Sequence, residues 1–329
     1  MEDRGNTPRQ GSPPCSGREE WAADYKGRLS ICAVWNSYTA TMQNQPTRRQ
    51  VVAGAAAALI ASSIKNVIRA DDAKPRFKIG ACDWSLGKRQ QFEALDLAKK
   101  IGLDGVQVSF DDIGKVTDLR LESARREYQE RTKKLEIEIA SLAMGTLNEH
   151  PYASDERTEQ WVLDCIDAME KMGQKIVLLA FFGKGDINGK PELQAKVVEK
   201  LKRAAPRAQK AGVILGIESW MNAADHLRMI EAIGSPAVQV WYDVANSEKM
   251  GYDIYKEIRQ IGRERICQFH CKENASLLGE GRIDFRKIKE AIDDIGWGGW
   301  LIIEGATVKE KTLEECYVHN QKYLRSIFA

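Results

Sequence analysis

The sequence predicts a single (β/α)8 barrel, and two observations carry the prediction. From Phe77 onward, short apolar runs alternate with amphipathic ones, eight of each. Strand–helix alternation of this kind builds a parallel sheet. Residues 75–329 also match the ~250 residues that such a barrel takes. A doubly wound sheet would need fewer strands or a second domain. No Gly-x-Gly-x-x-Gly follows the first strand, so a dinucleotide site finds no support. Gly183-Lys184-Gly185 has neither the spacing nor the ending of a phosphate loop.

The first predicted strand is Lys78–Asp83, and the helix after it, Phe92–Lys100, runs into Ile101-Gly102. Glycine accepts the left-handed conformation that closes a helix. The same ending recurs at Gly173, Gly212 and Gly296, so it is a repeated helix-to-strand turn. The second unit is Gly105–Phe110 with Leu121–Leu135, and the third is Glu138–Met144 with Glu156–Met172. The fourth pairs Lys175–Ala180 with Glu192–Lys210, where Leu193, Val197, Leu201 and Ala204 form one stripe opposite Lys and Arg. Pro206 is expected to kink that helix or end its regular part. Val213–Glu218 with Ala224–Ile233 is the fifth unit, and Val238–Asp243 with Tyr255–Ile261 the sixth. Ile266–Lys272 with Phe285–Ile295 and Trp300–Glu304 with Leu313–Ser326 complete the ring.

Composition narrows the function classes. Hydrophobic residues are 43% and charged residues 29% of the 329, too charged for a polytopic membrane protein. Lys+Arg 49 against Asp+Glu 47 leaves a formal charge of +2, which argues against nucleic acid as a partner held by bulk electrostatics. The seven cysteines are too few and scattered for a disulfide scaffold. Cys267 and Cys271 lie on one strand, too far apart to bridge without distortion.

Ahead of the barrel, residues 1–46 are rich in Gly, Pro, Ser, Asn and Gln without periodicity and read as a disordered extension. Residues 47–70 read as a twin-arginine-type export signal, with Arg48-Arg49 before the mildly apolar run Ala53–Ala61. That run falls well short of the ~20 residues that span a bilayer, so no stable membrane span is expected. Met42 precedes Thr47 closely, which suggests that residues 1–41 lie upstream of the working start. The implied partner is the twin-arginine export machinery and the implied location is the periplasm. If the segment is instead an amphipathic or buried helix, the protein is cytoplasmic.

In a barrel of this type the active site sits where the strands end. The ends of predicted strands five to eight read Ile217-Glu218, Tyr242-Asp243, Phe269-His270 and Ile303-Glu304, and all four final residues are metal-ligand types. Period-2 alternation turns Glu218, Asp243, His270 and Glu304 inward, and places Cys267, Phe269 and Cys271 on the helix-facing side. A charge at the end of an apolar run is costly unless paired or bound to a cation. Three converging carboxylates would repel one another, and one divalent metal resolves both problems. Three oxygen donors and an imidazole suit Mn²⁺ or Mg²⁺, with Co²⁺ or Zn²⁺ as alternatives. The competing reading, that each acid salt-bridges a neighbouring base at the barrel mouth, accounts less well for four such residues on four successive strands.

Gly-Ile-Glu218-Ser, Trp-Tyr-Asp243-Val-Ala-Asn246, Phe-His270-Cys-Lys272-Glu and Ile-Ile-Glu304-Gly resemble the strand ends of the sugar phosphate isomerase/epimerase family. These are xylose-isomerase-like TIM barrels of the AP endonuclease family 2 superfamily. The loop Leu278–Phe285 is similar to that family's Gly-rich loop after strand seven, and the resemblance covers roughly residues 77–328. It implies a metal bound by Glu218, Asp243, His270 and Glu304, with Glu218 and Glu304 doubling as catalytic carboxylates. Lys272 is placed to hold a substrate oxygen or neutralise an enediolate. The implied activity is isomerisation or epimerisation of a small sugar, sugar acid or cyclitol by proton abstraction next to a carbonyl. A dehydratase of inosose type would use the same metal and the same abstraction, and a non-catalytic exported carbohydrate-binding barrel is the third reading. A homo-oligomer is compatible with all three.

Two departures from the ketose 3-epimerases bear on substrate contact. Asn246 stands where those enzymes carry a His, and the Arg they place shortly after the strand-seven His is missing. Arg282 could substitute only if its loop folds back. Trp84 and Trp220 are expected to wall a sugar pocket, since aromatic faces stack on sugar C–H surfaces. Asp83, Asn148 and His150 are further candidate contacts, and Trp297 and Trp300 read as packing. The superfamily's abasic-site phosphodiesterases use additional His ligands, whereas this region has only His150, His226, His270 and His319. His226 and His319 lie in helix patterns and are expected at the surface.

Overall fold

The computed structural model describes residues 75–328, so the predicted extension at 1–46 and signal segment at 47–70 lie outside the described residues. Eight strands form the barrel: β1 (Phe77–Cys82), β2 (Gly105–Ser109), β3 (Glu138–Met144), β4 (Ile176–Phe181), β5 (Ile214–Ser219), β6 (Val238–Asp243), β7 (Ile266–Glu273) and β8 (Gly299–Gly305). They close in chain order, and β8 pairs in parallel back onto β1. The helices are α1 (Glu93–Ile101), α2 (Glu122–Leu135), α3 (Arg157–Met172), α4 (Pro191–Ala211), α5 (Ala223–Ile233), α6 (Val244–Lys249), α7 (Ile254–Ile261), α8 (Phe285–Asp294) and α9 (Leu313–Phe328). Each strand falls within a residue of its predicted bounds, because period and Gly-terminated turns are both local signals. Gly102, Gly173, Gly212 and Gly296 all take the left-handed conformation expected of them. Among the described residues, no helix is long and apolar enough to cross a membrane.

Two predictions are refined here. Helix α4 runs through Pro206 to Ala211, so of the two outcomes expected of Pro206 it does not end the helix. Pro206 and Lys202 both face solvent, so the carbonyl that Pro206 leaves without its helical donor can be hydrated rather than stranded in the core. The second concerns the phase of β7. Its pairing with β6 passes from Val240↔Ile266 to Trp241↔Gln268, so Cys267 is an extra residue in a bulge. Cys267 therefore packs inside the barrel beside Trp241, not against the helices. Its sulfur lies 2.7 Å from where a Cβ on Gly216 would stand, which is why β5 carries a glycine there. Beyond the bulge the phase is as predicted, with Phe269 and Cys271 in the helix-facing core.

The core has two layers. The larger lies between sheet and helices, where Val106, Leu179 and Phe269 meet Leu201, Ile258 and Ile288. Burying each such aliphatic side chain contributes ~1.5–3 kcal/mol. The smaller fills the barrel with Cys82, Ala140, Ala143, Leu178, Ala180, Trp241, Cys267 and Ile302. Five of them, Cys82, Ala140, Ala143, Ala180 and Cys267, are small, which leaves room at the C-terminal mouth for longer polar groups.

Candidate active site

The register of the last strands levels the predicted ligands. Asp243 pairs with His270 across β6 and β7, and Lys272 with Glu304 across β7 and β8. Glu218 closes β5 beside them. One donor atom from each of Glu218, Asp243, His270 and Glu304 lies within 4.8 Å of all the others. From His270 Nδ1 the distances are 3.1 Å to Glu218 Oε1, 3.3 Å to Glu304 Oε2 and 3.7 Å to Asp243 Oδ2. Neighbouring ligands of a cation held at ~2.1 Å in an octahedron stand ~3 Å apart, so the spacing suits a small divalent ion.

Two further observations bear on that fit. Asp243 Oδ1 accepts the backbone N–H groups of Ala245 and Asn246, capping α6, while buried Oδ2 has no hydrogen-bond partner. A buried carboxylate oxygen without a hydrogen bond calls for a partner from outside the chain. The charge sum agrees: three carboxylates and the Lys272 ammonium leave −2 when the imidazole is neutral, which one dication cancels. The helix that Asp243 caps, α6, is the one helix the periodicity missed, since six residues are too few to show a period.

The imidazole is oriented from behind. His270 Nε2 lies 2.9 Å from Gln107 Oε1, and the Cys82 thiol lies 3.2 Å from the same oxygen. Two donors converge on that atom, so Nε2 carries the hydrogen and Nδ1 turns a lone pair to the carboxylates. Burial pushes the Cys82 thiol up to about 12, so it stays neutral and donates. Sequence reading missed Gln107. The available signal was a polar residue at an inward position of the otherwise apolar strand Gly105-Val106-Gln107-Val108.

The electrostatics follow from crowding. Burial, with Asp243 and Glu304 nearby, raises the Glu218 carboxyl, while His270 opposes the rise. Burial would raise Asp243 too, but the Lys272 ammonium and His270 hold it below the usual range. Burial would lower Lys272, yet Asp243 and Glu304 outweigh it and raise it. Without an ion, Cys82, Glu218 and Glu304 raise His270 too, so the neutral imidazole with a free Nδ1 is the form that goes with an occupied cluster. Glu304 is held at both oxygens, by Trp84 Nε1–H at 3.0 Å and Lys272 Nζ at 2.9 Å.

A cavity of about 600 Å³ opens onto this cluster. Trp84 and Trp220 wall it, the latter edge-to-face with Phe182 at 5.0 Å between ring centroids. Asn246 lines it and reaches Glu218 Oε1 at 3.4 Å. His150 and Asn148 stand at its outer end. The structure does not bring Arg282 there. The loop is tied down by the Ile283 N–H to Glu273 Oε1, and Arg282 points to solvent, paired with Glu248 at 2.8 Å. Asp83 is fully buried and serves the scaffold, accepting Ser109 N–H, Ser109 Oγ–H and Gln90 N–H. His226 is also buried rather than at the surface. Its Nδ1 lies 3.1 Å from the Asn222 carbonyl and its Nε2 3.1 Å from Ser219 Oγ, which fastens the loop that carries Trp220.

Comparison with known proteins places these residues in context. The model of the family described as xylose isomerase-like TIM barrel matches residues 95–327. A 2-epi-5-epi-valiolone 7-phosphate 2-epimerase of Actinoplanes sp. is 24% identical over 227 residues, 65% of this chain and 82% of that protein. An L-ribulose-5-phosphate 3-epimerase of Escherichia coli is 24% identical over 234 residues, 64% of this chain and 81% of that one. Among solved structures, a D-psicose 3-epimerase of Clostridium cellulolyticum H10 with D-tagatose superposes with a TM-score of 0.66 at 17% identity, over 76% of this chain and 99% of that one.

Proposed function

From the premise that this chain belongs to the xylose isomerase-like TIM barrel family, we propose that it is a divalent-metal-dependent isomerase or epimerase of a small sugar, sugar acid or cyclitol. The observation that carries the proposal is the four-residue cluster, with a buried Asp243 oxygen that accepts no hydrogen bond. Glu218, Asp243, His270 and Glu304 would hold the ion, Mn²⁺ or Mg²⁺ by preference and Co²⁺ or Zn²⁺ as alternatives. Bound by these four residues, a divalent ion would supply Lewis-acid stabilisation of the charge that develops beside a carbonyl on deprotonation. The kinship with two curated epimerases supports the same reaction type.

The chain's own groups supply the rest. Glu218 and Glu304 stand on β5 and β8, three strands apart around the ring, and so face a bound substrate from different sides. Glu218, a carboxylate at the floor of the cavity, is placed to take a proton from a bound substrate and return it. Glu304, oriented by Trp84 and Lys272, is the carboxylate for the other face. Lys272 keeps its charge and can donate to a developing oxyanion. Trp84 and Trp220 exclude water and stack on sugar C–H faces, while Asn246 and His150 are placed to meet hydroxyl groups.

The test is metal analysis followed by solvent-deuterium incorporation into a panel of ketoses, inososes and sugar acids. Exchange at one carbon next to a carbonyl in metal-loaded protein supports the proposal. No exchange in any of them leaves the non-catalytic carbohydrate-binding reading, and loss of water from the product identifies a dehydratase. For location, we propose export through the twin-arginine route. Arg48→Lys with Arg49→Lys should retain the chain in the cytoplasm in a fractionation assay, and unchanged export would remove that reading.

A further inference from the structure

We infer that the substrate is uncharged, and that Asp111 excludes phosphate esters by occupying the anion site that Arg89 would otherwise offer. The inference rests on the isomerase or epimerase reading and narrows its substrate class. Arg89 is the cavity-lining cation outside the ligand cluster, as Lys272 already belongs to Glu304 and Asp243. Its guanidinium has the fork geometry that takes a phosphate or carboxylate. The Nε–Nη2 edge of that fork is taken from within. Asp111 Oδ2 accepts Arg89 Nε–H at 2.9 Å and Nη2–H at 2.5 Å, and Asp111 Oδ1 accepts the Thr146 N–H at 2.7 Å. The Asp111 side chain is only 3% exposed, so it is part of the wall rather than a mobile arm.

Other would-be donors in the cavity wall are spent too. The Phe182 N–H goes to Asn148 Oδ1. With the four-residue cluster, Lys272 and a dication summing to zero, the remaining acids of the lining are each paired, Asp111 with Arg89, Asp112 with Lys115 and Glu149 with Lys184, so no cation at this end is left over for an anion. Gly145 brings backbone against this pair, since a Cβ there would stand 3.3 Å from both Arg89 Nη2 and Asp111 Oδ2. A phosphate dianion entering this end would have to displace a carboxylate from its basic partner, the buried Asp111 first. A hydroxylated, uncharged sugar needs neither. It can stack on Trp84 and Trp220 and share hydrogen bonds with Asn148 and His150. The curated relatives named for phosphate esters and the solved relative holding D-tagatose therefore differ in a property that one carboxylate can decide.

The experiment uses Mg²⁺-loaded protein and inorganic phosphate as the probe, with thermal unfolding as the readout. About 10 mM phosphate should leave the wild type unmoved and raise the midpoint of Asp111→Asn by about 2 °C or more, because the freed fork then binds anion in the folded state alone. A wild type that phosphate stabilises, with the shift lost in Arg89→Ala, overturns the inference. So does an Asp111→Asn variant that folds, as judged by circular dichroism, yet gains no phosphate response. If that variant does not fold, deuterium incorporation decides: free ketoses should exceed their own phosphate esters at least ~10-fold in kcat/KM, a gap of about 1.4 kcal/mol in transition-state binding. The reverse preference is fatal. Absence of exchange in every sugar removes the isomerase reading and leaves the phosphate result to stand or fall on its own.

Discussion

Two aspartates stand at the C-terminal ends of β1 and β6 and meet opposite fates. Asp83, just past β1, is buried and closed: both oxygens accept donors from Ser109 and Gln90 within 2.9 Å. Burial lifts its carboxyl to about 6 against the pull of those donors, chiefly Ser109. Asp243, ending β6, is buried to a similar degree but half open, with Oδ1 capped by backbone and Oδ2 unmatched. A strand-end acid is structural when its loop and the neighbouring strand supply every donor, and chemical when one oxygen is left over for something outside the chain.

Substitutions break or sharpen this contrast. The largest expected effect is on turnover: Glu218→Gln or Glu304→Gln should lower isotopic exchange by at least ~10³-fold, since each removes a proton-transfer group. Wild-type rates in both variants would refute the assigned roles. Asp243→Asn keeps the α6 cap and should weaken metal affinity by ~100-fold or more, beyond what a supporting residue costs. Asp83→Ala should do the converse. It leaves two N–H groups and a hydroxyl without their acceptor, costing about 3 kcal/mol or more in denaturant unfolding, with metal affinity in the folded protein nearly unchanged. If Asp83→Ala lost metal and kept stability, the contrast would be inverted.

Gln107→Leu probes the border between the two classes. It removes the oxygen that fixes the His270 tautomer, and metal affinity should fall ~10–100-fold in a titration while the fold persists. The smallest effect is expected at His226, another closed cluster. Burial lowers its imidazole to about 4, against ~6.5 in the unfolded chain. The unfolded chain therefore takes the proton first, and stability falls as pH drops from ~6.5 to ~4, by on the order of 3 kcal/mol. His226→Gln should flatten that slope. An unchanged slope would mean that other groups govern it.

The ring of strands and the four ligand types at its mouth were legible because both are periodic, and period 2 with Gly-closed helices needs no knowledge of partners. What escaped depends on a single inserted residue or on a distant neighbour. The bulge at Cys267 turns one side chain inward without altering the apolar pattern. His226 shows a helical position and not the Ser219 hydroxyl that buries it. Arg282 shows its count from His270 and not the Glu273 carboxylate that pins its loop elsewhere. Gln107, Arg89 and Asp111 are ordinary polar residues until the barrel closes and brings β2 behind β7 and the loops after β1 and β2 together.

The divided carboxylate of Asp243 has a mechanical consequence. One oxygen holds the first turn of α6 and the other faces the ligand cluster, so drawing the group toward an ion also sets the tension on that cap. Asn246, on the same turn, touches Glu218. Ion loading and local opening of Val244–Lys249 are therefore thermodynamically linked, and amide exchange across that turn should slow in step with occupancy.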